Sequence, residues 1–109
     1  MAKYLIEVAY SLEGLKGLVK DGGGGRRAAV EAAIKAVGGR VESMYWGFGT
    51  NDVYVIVEAP DNVSAAAMAL AVGATGAAAH YKTTVLLSAD EVDQAAKKSG
   101  AVGYRAPGH

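Results

Sequence analysis

Apolar and polar positions along this chain follow two rhythms. Four stretches crowd β-branched and aromatic residues between turn-forming ones, which predicts strands; the segments between them space their apolar residues by three and four, which predicts helices. In the first strand, residues 4–10, Tyr4, Ile6, Val8 and Tyr10 share one face, and Leu5, Glu7 and Ala9 share the other. Ser11 then offers a cap to a helical turn whose apolar stripe is Leu12, Leu15, Leu18 and Val19, weakened by Gly14 and Gly17. Gly22 to Gly25 predicts a flexible break. Residues 26–37 form the first full helix, with Val30, Ala33, Ile34 and Val37 in helical register and Gly38-Gly39 ending it.

The segment from Arg40 to Asp61 predicts a hairpin, with strands over 41–48 and 53–58 and a turn at Gly49-Thr50-Asn51-Asp52. Asp61, after Pro60, caps a helix of small residues over 63–74. Residues 79–87 are the fourth strand, and Ser88 with Glu91 has capping-box spacing for a third helix running to Lys98. The order β-α-β-β-α-β with an extra C-terminal helix predicts an α+β, ferredoxin-like fold. Its antiparallel four-stranded sheet has strands one and three in the middle and the main helices on one face. Residues 1–98 form the domain and 99–109 an irregular tail.

Helices on one face leave the other open. Tyr4, Ile6 and Val8 with Val53, Val55 and Val57 are the natural core, so the open face receives Leu5, Glu7, Ala9, Tyr54, Ile56 and Glu58. The second strand adds either Met44, Trp46 and Phe48 or Tyr45 and its neighbours. The fourth adds His80 and Lys82, because Tyr81, Val85 and Leu87 make the better core set. A monomer seldom leaves an apolar patch of this size in water. Two copies packed sheet to sheet would bury it in an isologous interface, so the expected partner is a second copy of the chain.

Composition narrows the remaining classes. The 109 residues make one domain. Eleven basic and eleven acidic residues balance, which argues against nucleic acid or an anionic membrane as partner. Without cysteine there is no disulfide, thiolate nucleophile or cysteine-bound metal. Met1-Ala2-Lys3 runs straight into a strand with no signal-peptide pattern, and the low-polarity run over 63–79 is too short and too rich in alanine and glycine to span a bilayer. A cytoplasmic protein is expected.

The run Tyr45-Trp46-Gly47-Phe48-Gly49, followed two residues later by Asp52-Val53-Tyr54-Val55-Ile56-Val57-Glu58-Ala59-Pro60-Asp61, resembles the core of the bacterial GYD-domain family. The likeness extends over nearly the whole chain, to the tail Tyr104-Arg105-Ala106-Pro107-Gly108. The triplet that names the family is altered: Gly49 and Asp52 match its glycine and aspartate, while Asn51 stands in place of its tyrosine. The resemblance implies a ferredoxin-like, oligomeric protein of the dimeric α/β-barrel type, from a family whose function is unknown.

The residues suggest candidate chemistry, each with a plainer counterpart. Glu7 and Glu58, on adjacent strands and one face, suit general acid–base work, or simply pair with Lys82 or an arginine. His80 suits proton transfer or metal ligation, or is a polar edge residue, and no paired-histidine spacing supports a metal. The aromatics Tyr45, Trp46, Phe48 and Tyr54 suit a pocket for a flat or apolar molecule, or ordinary packing. Gly22–Gly25 before Arg26-Arg27 lacks the Walker lysine of a phosphate cradle. The expected function is a homo-oligomeric binding or regulatory module. Its pocket lies at the open face, with Trp46, Tyr54, Ile56 and Lys82 as binding candidates for a small apolar or aromatic ligand. The alternatives are a small cofactor-free enzyme, monooxygenase- or isomerase-like, using Glu7, Glu58 and His80, and a purely structural assembly subunit. Neither a metal nor a cofactor is expected.

Overall fold

The computed structural model describes residues 1–109 and gives the order β1 (Ala2–Tyr10), α1 (Leu12–Ala36), β2 (Arg40–Trp46), β3 (Val53–Ala59), α2 (Asn62–Gly73), β4 (Ala78–Leu86) and α3 (Ala89–Ser99). The strands form one antiparallel sheet in the order β2-β3-β1-β4. This is the ferredoxin-like α+β arrangement, with β1 and β3 central. Residues 100–109 adopt neither helix nor strand.

Strand alternation decides the core. Tyr4, Ile6 and Val8 from β1 and Val53, Val55, Val57 and Ala59 from β3 lie buried under α1 and α2, joined by Met44, Ile34, Ala65 and Met68. Because side chains alternate, the register that buries these residues leaves their neighbours on the opposite face. Helix α2 turns Ala65 and Met68 toward the sheet as its buried positions.

The caps follow the sequence. Ser11 Oγ accepts from the Gly14 amide, Asp61 from the Ser64 amide, and Ser88 and Glu91 form the reciprocal capping box. The break expected at the glycine run is present but confined to one residue. Only Gly22 leaves helical geometry (φ 73°, ψ 169°), so α1 is two helical segments that meet there, and Gly23 to Gly25 already belong to the second. The Leu12 stripe is not a core face, for Leu12, Leu15 and Val19 are exposed and Leu18 is only half-buried. Instead Gly14 is the buried residue of that segment. A Cβ there would stand 2.1 Å from the Ala77 carbonyl oxygen, so only glycine permits this close approach.

The hairpin connection is longer than a four-residue turn, running from Gly47 to Asp52. The Asp52 amide donates to the Val8 carbonyl (2.8 Å), and Asp52 Oδ2 accepts from the Tyr10 amide (2.8 Å). The aspartate thereby prolongs the β1–β3 pairing beyond its last ladder pair, Val8 with Val53.

Helix α3 stands away from this body. None of its residues is buried, and the tail beyond it is exposed throughout. The molecule measures 56 × 33 × 23 Å, with a radius of gyration of 17.0 Å. A compact chain of this length has a radius of roughly 13 Å.

Candidate functional site

The open face is built by the second set of alternating positions. Glu7 lies between Tyr54 on β3 and Lys82 on β4, Leu5 between Ile56 and Thr84, and Ala9 beside His80. Tyr45 faces Tyr54 across the β2–β3 pair. Leu5, Ala9, Tyr54 and Ile56 are half-buried, while Tyr45 is 72% exposed. The apolar middle of the sheet is thus framed by charged residues, and no helix of the chain covers it.

Those charges are largely paired along the face. Glu58 lies between Lys3 and Arg40 and binds the Arg40 guanidinium. Lys3 Nζ reaches Glu42 at 3.0 Å. Glu42 takes part in a register shift between Val41 and Ser43, which places the two-residue step on this side of β2. At the other end, Asn51 Nδ2 donates to Glu7 Oε2 (3.1 Å), so a residue of the hairpin connection folds onto the open face.

The three acid–base candidates do not gather. Glu7 and His80 are diagonal neighbours on β1 and β4. Glu58 is offset from Glu7 by four residues, about 13 Å along the strands. No group of three histidine, aspartate or glutamate side chains comes together as a metal site.

Of the binding candidates, Tyr54, Ile56 and Lys82 lie on the open face as the alternation predicts. Trp46 does not. Met44 is buried in the core, so Trp46, two residues on, shares the helix side, and Tyr45 takes the open face. The indole Nε1 donates to Tyr10 Oη (3.2 Å), and the ring lies against Gly23 of α1. The sequence leaves this choice undecided because both alternating sets of β2 carry aromatics.

A feature absent from the sequence reading lies on that covered side. A cavity of about 60 Å³ opens between the helices and the sheet, among Val30, Met44, Met68, Val72 and Tyr81, with Arg26 at its edge. Tyr81 Oη is buried and has no hydrogen-bond partner. Burial pushes its pKa up to about 12. The pattern predicts Tyr81 on the core side; no sequence signal marks its hydroxyl as unpaired.

No curated protein matches the sequence. A solved structure, an uncharacterized NIPSNAP domain protein from Burkholderia xenovorans, is similar at 15% identity and a TM-score of 0.46, covering 82% of this chain and 95% of its own. No helix is long and apolar enough to cross a membrane. The profile of the GYD domain matches residues 4–96, so nearly the whole folded body is accounted for by one family, and the chain belongs to the GYD-domain family.

Proposed function

We propose that this domain works as a homodimeric binding module in which the open sheet face of one protomer closes on the same face of another. The observation that carries the reading is the uncovered half-apolar middle of the sheet, Leu5, Ala9, Tyr54 and Ile56, flanked by the exposed Tyr45. Charge supports a second copy as the occupant. Glu7, Glu42 and Glu58 balance Lys3, Arg40 and Lys82 on this face, so two copies meet without net repulsion. An apolar middle with a charged rim is also the anatomy of specific interfaces.

Area supports it as well. Four strands of about eight residues give a face of about 500 Å² in plan, and two faces together about 1,000 Å², where specific interfaces begin. Binding is favoured over catalysis because Glu7 and His80 sit at one end of the face and Glu58 at the other.

Light scattering at micromolar protein tests the reading. The expected mass is twice the 11.1 kDa of one chain. Ile56→Lys, which places an unpaired charge in the middle of the face, should return the single-chain mass with an unchanged circular dichroism spectrum. A wild-type protein of single-chain mass at that concentration would falsify the proposal.

A further inference from the structure

The cavity on the covered side of the sheet continues outward. Tyr10, Arg26 and Ala77 line both the inner cavity and a groove of about 220 Å³ bounded by Glu13, Gly17 and Thr75. The inner space exceeds the roughly 10–15 Å³ that one water needs, but a water also needs two to four polar partners. Here twelve of the thirteen lining residues are hydrophobic, and the one buried hydroxyl without a partner is that of Tyr81. At about 60 Å³ the space is also well short of the roughly 150 Å³ cavity that accepts a benzene ring. It suits a short, unbranched apolar chain.

Arg26 stands where the two spaces join, its side chain 35% exposed. Its ion pair with Asp21 is long, at 3.4 Å, and leaves most of the guanidinium fork free. That fork matches a carboxylate with two parallel hydrogen bonds. Glu13, on the groove wall, opposes a second anionic group. We propose that cavity and groove form one binding site for a short-chain monocarboxylate bearing an oxygen acceptor: its chain seated beside Val30, Met68 and Val72, its carboxylate on Arg26, and its acceptor oxygen taking the Tyr81 hydroxyl. The site lies on the opposite side of the sheet from the dimer face and does not depend on self-association.

Trp46 reports on this site. It is the sole tryptophan, and its indole bonds Tyr10, which lines both spaces. The full chain is titrated with pentanoate, its oxo derivatives, pentanol and glutarate while indole emission is followed. The expected result is a saturable response to pentanoate, with pentanol and glutarate weaker by about tenfold or more. At least one oxo derivative should bind more tightly than pentanoate, and Tyr81→Phe should erase that advantage. Arg26→Gln should weaken pentanoate about tenfold and leave pentanol unchanged, a variant of a part-exposed residue that spares the core. Val72→Phe, which fills the inner space, should abolish the response. No saturable response up to about 10 mM, or one that Arg26→Gln leaves intact, would overturn the site and leave the cavity a packing void. Repeating the titration in Ile56→Lys separates the two proposals, since the response should persist in a monomer.

Discussion

Two side chains carry most of what single residues teach here. The Tyr81 hydroxyl is buried without a partner, so Tyr81→Phe keeps the ring and removes an unmet polar group. Unfolding in urea at neutral pH should show a gain of about 1 kcal/mol. Burial raises the folded-state pKa from 10.0 to about 12, so the fold holds its proton more tightly than the unfolded chain does. This part of the stability is complete below pH 10 and is lost as pH rises from 10 to 12; in Tyr81→Phe that portion of the alkaline decline should vanish. Asp52 is the second. Read from sequence it is a turn residue, yet it accepts from the Tyr10 amide while its own amide binds Val8. Asp52→Ala should cost about 1–2 kcal/mol in the same assay, by stranding the Tyr10 amide. Neither role was legible, because both depend on which distant atom a side chain meets. Trp46 fails for a different reason. Alternation gives two sets per strand, and with aromatics in both sets of β2 only the burial of Met44 decides between them.

At the level of elements, the strands, the main helices and the three caps were legible, because each rests on local periodicity and hydrogen bonding. The first half of α1 was not. Its leucines suggest an inward stripe, but the residue that meets the sheet side is Gly14, chosen for the space it leaves. Gly14→Ala should destabilise by about 1–3 kcal/mol, as overpacking does, and more if the Ala77 carbonyl cannot shift from the 2.1 Å that a Cβ would impose. Thermal unfolding followed by circular dichroism checks this. Helix α3 makes the opposite prediction. It has a full capping box but buries nothing, so its local signals specify a helix without specifying what it packs on. Ending the chain at Ser88 in the monomeric Ile56→Lys background should therefore move the melting temperature by no more than about 2 °C.

On the scale of the whole molecule, the topology and the existence of an uncovered face are legible in the sequence, since both follow from element order and alternation. The cavity beside Arg26 was beyond it, because a void is a property of how helices and sheet fail to meet. If two open faces close on each other, folding and association are linked, and the melting temperature should rise with protein concentration. A tenfold dilution should lower it in the wild type and leave Ile56→Lys unmoved, as scanning fluorimetry would show. The outstretched α3 bears on any such measurement. A compact chain with a radius of gyration of 17.0 Å would have about 220 residues, twice the length of this one. A single copy would therefore travel through a gel-filtration column much as a rounded pair of average proportions does. Read against rounded standards, elution volume would report a dimer for a single copy, and only a mass that is independent of shape can distinguish them.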